Sequence, residues 1–374
     1  MKSTRDWCAR SGWVTHEGHN HTIGFGRHLG ITLLSVLVLL SGTGWAQTPS
    51  FQGLGQLPGT QGTYAQGVSG DGSVVVGYFY DVSLRTHAFR WTISGGVEDL
   101  GTLGGLSSEA YGVSSDGSVV VGRAANFNGG LRAFRWTAAG GMQDIGTAAS
   151  FSYSDASKVS SDGSVVVGLQ GQAYRWTAAG GMQTLGALAS GAYSTALGVS
   201  RDGVVAVGYS YNAAGQGRAY RCTTVTGMTD LGTLGGTEGI AHAASGNGAV
   251  VVGESRDKNA FWRAFRWTSS GLQNLGTLGG PMAAANDVSS DGSIVVGKSL
   301  TSSLTSSNRA FRWSAKKGMQ DLRQALLSAG VTSVQNWTLF TATGVSADGK
   351  TMVGYGLNPS KQWESFRAVL PLPQ

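Results

Sequence analysis

Short apolar runs and polar turns alternate along most of this chain, and the alternation itself repeats. In its clearest form the phrase reads Ser-Asp-Gly-Ser-Val-Val-Val-Gly, a variable stretch, Ala-Phe-Arg-Trp-Thr, then Gly-Gly-Met-Gln-Asp. The second unit shows the elements it predicts. Ala110–Ser114 reads as a first strand (a), and the Asp116-Gly117 turn leads into a second (b) over Ser118–Gly122. Valines that do not alternate with polar residues predict a strand buried on both faces. Ala133–Thr137 reads as a third strand (c). After the turn at Ala138–Gly141, Met142–Gly146 reads as a fourth (d).

The turn residue recurs at Asp71, Asp116, Asp162, Asp202, Asn247, Asp291 and Asp348, at steps of 40 to 57 residues. Several short strands per unit at that period predict a radial or stacked repeat. Strands b and c each occur seven times, whereas d follows only six of the c strands. The missing d is supplied at the other end, by Phe51–Pro58. The expected fold is therefore all-β: a seven-bladed β-propeller whose N-terminal outer strand completes the C-terminal blade. Phe89 and Trp91, with their equivalents Phe134/Trp136 and Phe311/Trp313, share one face of strand c and are expected to fill the space between blades. Leaving out four turn residues places Arg135 opposite Asp144 and Arg90 opposite Asp99, a predicted series of structural ion pairs. Helix formers over Arg323–Gly330, with a glycine stop, predict a short inserted helix.

Composition changes the picture in a few places. There are 60 glycines in 374 residues, but no Gly-X-Y period, and 41% of residues are hydrophobic. The glycines therefore belong to turns. An apolar run at Leu29–Leu40 follows Arg27-His28, with Gly44-Trp45-Ala46 behind it. Residues 1–46 are read as a signal peptide with an extended n-region, and 47–374 as the seven-repeat propeller. The net charge is +6, of which residues 1–46 supply +2, and no run of Lys or Arg follows. That argues against a nucleic-acid partner, and no membrane span is expected in the mature chain. Cys222 is alone after residue 46, at a Trp position of the repeat, and is expected to be a buried thiol.

The variable connections are those between strands b and c, and variable loops on a rigid frame are where binding usually resides. They point to Tyr78, Tyr80, Asp81, Phe127, Tyr209, Tyr211, Glu254 and Asp257 as ligand-binding residues. Catalysis has less to work with. His87 and His242 are the only histidines after residue 46, and no residue spacing assigns a metal or cofactor. Glu109, Glu238, Glu254 and Asp257 lie off the repeat pattern as carboxylates able to meet over the central channel.

His87-Ala88-Phe89-Arg90-Trp91, with Arg-Ala-Phe-Arg-Trp at 132–136, 263–267 and 309–313, resembles the bacterial extracellular HAF-repeat family across about residues 51–370. The resemblance implies export and a surface or extracellular setting, and implies no known reaction. With little chain after the last blade, secretion or periplasmic residence is the expectation. Two functions remain open on the sequence. One is a non-catalytic interaction scaffold for a glycan or surface protein. The other is a polysaccharide lyase or hydrolase acting near the central channel.

Overall fold

A computed structural model describes residues 48–146, 153–302 and 307–373. The expected leader, 1–46, lies outside them. The described chain forms seven four-stranded antiparallel sheets arranged as a ring, a seven-bladed β-propeller. The inner strands a are Gln61–Val68, Gly104–Val113, Asp155–Val159, Ser194–Val199, Gly235–Ala244, Ala283–Val288 and Thr338–Val345. In the last blade strand d is Ser50–Gly53, paired with Trp363–Val369 in the register Ser50↔Val369 to Gly53↔Phe366. Among the described residues no helix is long and apolar enough to cross a membrane.

The turn at the end of each inner strand explains the Ser-x-Asp-Gly phrase. Ser114 is fully buried. Its hydroxyl donates to Asp116 Oδ1 at 2.6 Å and accepts from the Val119 amide at 2.9 Å. Asp116 Oδ1 also accepts from the Ser118 amide at 3.0 Å. Gly117 has φ +73°, and a Cβ there would lie 2.3 Å from Val74 of the preceding blade. The residue x then joins blade to blade. Gly70 N donates to Ser115 O, Ser115 N to Ser161 O, and Ser161 N to Arg201 O. Asp202 N continues to Gly246 O, Gly246 N to Ser290 O, Ser290 N to Ala347 O, and Ala347 N back to Gly70 O. These seven bonds, 2.8–3.1 Å long, close a circle around the axis.

The valine runs are buried on both faces, Val119, Val120 and Val121 being at most 4% exposed. The glycine that ends each run is set by close approach. A Cβ on Gly122 would come within 1.9 Å of the Glu109 carbonyl on the neighbouring strand. Phe134 lies opposite Gly122 and is fully buried. Cys222 is buried too, and burial pushes its thiol above the usual range.

The c–d register differs by one residue from the sequence expectation. Thr137 pairs with Gly141, so Arg135 faces Gln143 and Asp144 faces Phe134. Gly141 adopts φ +63° and belongs to the ladder, which leaves a three-residue turn rather than four. The Asp is instead met by the first residue of the Arg-Ala-Phe-Arg-Trp phrase. Arg132 Nε lies 3.1 Å from Asp144, Arg218 Nε 3.0 Å from Asp230, and His87 Nδ1 3.2 Å from Asp99. The second arginine reaches forward to the next blade's turn. Arg90, Arg221, Arg266 and Arg367 donate to the carbonyls of Gly117, Gly248, Gly292 and Gly72.

The expected helix is present as α1, Leu322–Ser328, capped by the Asp321 carboxylate on the Gln324 amide. With the 3-10 turn Thr332–Val334 it covers the closing strand. Leu322, Leu326, Val334 and Trp337 share a core with Phe51, and Ser333 donates to Phe51 O at 3.0 Å.

Two outcomes follow. Gly122→Ala should destabilise the fold by about 1–3 kcal/mol, because the added methyl has no room to relax; chemical denaturation checks this. The carboxylates of Asp116 and Asp162 are held at about 2 by the Ser hydroxyls and then by the turn amides. An unfolded Asp titrates near ~3.9. Their contribution is therefore complete above about pH 4 and lost as the pH falls toward about 2. Thermal midpoints should drop across that window, and the Asp116→Asn, Asp162→Asn double variant should show a shallower drop.

Candidate functional site

Every inner strand carries a β-bulge at the same point. The register slips between Ala65 and Gly67, Ala110 and Gly112, Ala156 and Lys158, and Ala196 and Gly198. It slips again between Ala241 and Ala243, Ala285 and Asp287, and Ala342 and Gly344. A bulge leaves its extra residue outside the ladder and re-aims that side chain. The seven extra residues are Gln66, Tyr111, Ser157, Leu197, His242, Asn286 and Thr343. All seven line one cavity of about 430 Å³ at the channel mouth, together with Arg123, Asp155, Lys158, Lys298, Thr341 and Tyr355. The mouth opens on the face that carries the b–c loops.

The next position along each strand forms a collar below the mouth. It is glycine or alanine in five blades: Gly67, Gly112, Gly198, Ala243 and Gly344. The collar is tight, since a Cβ on Gly198 would lie 2.6 Å from the His242 carbonyl. Lys158 and Asp287 are the two departures.

On one side of the mouth the polar groups are interlinked. Arg123 donates to both oxygens of Glu109, at 3.2 and 3.0 Å, and to the Tyr153 hydroxyl at 3.3 Å. The Tyr111 hydroxyl also donates to Glu109. Tyr153 donates to Asp155 Oδ2 at 2.9 Å and Ser157 to Asp155 Oδ1 at 3.1 Å. Burial raises the Asp155 carboxyl above the usual range, opposed by these two donors and by Arg123. Burial also drives the Tyr111 phenol up, and the Glu109 charge adds to it. On another side His242 Nε2 lies 3.4 Å from Glu254.

The loop residues singled out from sequence fall into separate sets. Asp81 accepts from the Ser83 and Arg85 amides, and Asp257 from those of Asn259 and Phe261, so each carboxylate shapes its own hairpin. Asn126 does the same in its loop, which displays Phe127 at 88% exposure. Tyr78 and Tyr80 join an aromatic group with Tyr64, Tyr355 and Trp363, in which Tyr64 stacks on Tyr78 at 5.2 Å. Tyr209 and Tyr211 form a second group with Tyr193. Glu254 alone reaches a bulge residue, His242. The off-pattern carboxylates do not meet over the channel. Glu109, Glu238, Glu254 and Asp257 each pair with a separate basic side chain: Arg123, Arg256, His242 and Arg263. Among the described residues no group of three or more His, Cys, Asp or Glu is placed to hold a metal.

Sequence reasoning missed the bulge ring, though its signal is present. The phrase Ala-x-Gly-Val-Ser recurs with x changing every time while its neighbours stay nearly fixed.

No protein-family model matches this chain, and no curated protein matches it in sequence. Solved structures share its fold. Oligogalacturonate lyase from Vibrio parahaemolyticus is 9% identical with a TM-score of 0.54, covering 87% of this chain and 98% of that one. The β-propeller domain of the Trilobed protease from Pyrococcus furiosus is 9% identical at 0.53, covering 82% and 96%. The Cps50 (Swd1) propeller domain from Myceliophteria thermophila is 11% identical at 0.51, covering 85% and 100%.

The Asp155 carboxyl should titrate above an ordinary aspartate when followed by carboxyl-carbon NMR. Tyr153→Phe removes a hydrogen bond that favours the ionised form, so that titration should move further up.

Proposed function

We propose that this protein is an exported, non-catalytic binding propeller that takes a glycan at its channel mouth, with the rim aromatics as flanking contacts. One observation carries the reading. The seven bulge positions are equivalent in backbone, yet hold seven different residue types, while the residues around them are nearly uniform. Folding alone would be served by the same residue at each. Diverse polar and aromatic side chains converging on one preformed cavity are what selective recognition needs. Amides, hydroxyls and an imidazole supply directional hydrogen bonds. Half-exposed tyrosines supply flat apolar faces beside a polar tip. A sugar, with hydroxyl edges and apolar ring faces, matches both. The reading keeps the chain with the bacterial extracellular HAF-repeat proteins, on the Arg-Ala-Phe-Arg-Trp phrase.

A second reading, a polysaccharide lyase or hydrolase, is favoured by the Glu109–Arg123–Tyr153–Asp155 chain. It places a raised carboxyl at the same mouth, with Tyr153 bonded to Asp155 and Tyr111 to Glu109, groups suited to proton transfer.

Glycan-array binding of the full chain separates these readings. Selective retention of intact glycans, weakened at least about tenfold (~1.4 kcal/mol) by the Gln66→Ala, His242→Ala pair, supports the binding reading. Release of new reducing ends, abolished by Asp155→Asn, supports the enzyme. Binding confined to proteins would overturn both.

A further inference from the structure

The collar contains one lysine where the other blades have Gly, Ala or Asp. Lys158 forms the floor of the mouth cavity and borders the narrower space beneath it. Its ammonium donates to the carbonyls of Tyr111, at 3.2 Å, and Gln66, at 3.5 Å. Among the described residues no carboxylate lies within ion-pair distance of it. The carboxylate whose charge acts on it is Asp287, the other departure from the collar, which lies beyond ion-pair distance. Asp287 is held in place by the Val288 amide and by the Val345 amide of the next blade, both at 2.9 Å. Lys298 projects into the same cavity from the second strand of blade six, exposed and without a carboxylate partner among the described residues. Arg123, by contrast, is already neutralised by Glu109.

An ammonium drawn partly out of water with no carboxylate at ion-pair distance is costly to keep. Burial accordingly pushes Lys158 below the usual lysine range, against the opposing charge of the more distant Asp287. Four sibling repeats place glycine at this point, so the propeller does not need a lysine there. The charge is explained if a ligand completes it.

We propose that the channel mouth is a carboxylate-binding site, with Lys158 as the anchor and Lys298 beside it, and that its ligand is a uronic-acid sugar. This rests on the glycan reading above and narrows it to an acidic class. The walls favour a sugar over a side-chain carboxylate of a peptide. Tyr111 and Tyr355 offer ring faces, and Gln66, Ser157 and Thr343 offer groups for hydroxyls, around Lys158 and Lys298.

Calorimetry on the full chain tests this with a glucuronate-containing disaccharide, its methyl ester, a neutral galactose disaccharide and a tetraglutamate peptide. The expected result is that the free acid binds at least about tenfold more tightly than the methyl ester. Lys158→Gly, which restores the residue of four sibling repeats, and Lys158→Met should both abolish that preference for the free acid over its methyl ester. Circular dichroism melting confirms that each variant is folded. Equal binding of acid and ester overturns the acidic-sugar proposal and leaves the glycan reading standing. Retention of the preference in both folded variants overturns Lys158 as the anchor. Binding of tetraglutamate with no sugar bound overturns the proposal and the glycan reading together.

Discussion

A closed circle of backbone hydrogen bonds at the axis, one between each pair of neighbouring blades, is the constraint on which the rest of this molecule depends. The circle exists because the residue after the buried serine is held by the Asp–Ser–amide turn with its N–H and C=O turned sideways toward the neighbours, Asp202 donating in place of Arg201 in the fourth blade. Once those seven turns are fixed, the inner strands converge. Close approach favours glycine or alanine at five of the seven collar positions, and glycine where strand b runs beside strand a. The periphery repeats the logic with side chains, through arginines of strand c that bond the next blade's turn carbonyl. Packing between blades then comes from the buried Phe and Trp of the same strand.

The same inner strands also create the cavity. Each carries one extra residue at the equivalent point of its ladder. The bulge expels one side chain per blade into the mouth, so a device of assembly becomes a device of display. That coupling explains why variable residues occur inside the most repetitive part of the chain as well as in its b–c loops.

Much of the fold was legible because its rules are local. Asp-Gly turns, valine runs and aromatic pairs each predict one element, and the count of strands predicts the ring. The c–d register was not legible. It turns on whether Gly141 belongs to the turn or to the ladder, and that depends on a positive φ that sequence spacing does not reveal. The error moved every Arg–Asp pair by one place and assigned Asp144 to Arg135 instead of Arg132. The site was legible only in part. Tyr78, Tyr80, Tyr209 and Tyr211 belong to aromatic groups, whereas the Asp81 and Asp257 carboxylates accept backbone amides of their own hairpins. Lys158 was overlooked because it lies within strand a, where a repeat-based reading expects packing.

Both edges of the described ring leave from the same side of the disc. Strand d of the last blade begins at Ser50, opposite Val369, beside the Ser-x-Asp-Gly turns, and Leu370 bonds to Lys350 in one of those turns. The channel mouth is on the opposite side. A tether attached through either flank would therefore hold the disc by its back, with the cavity directed outward from the point of attachment.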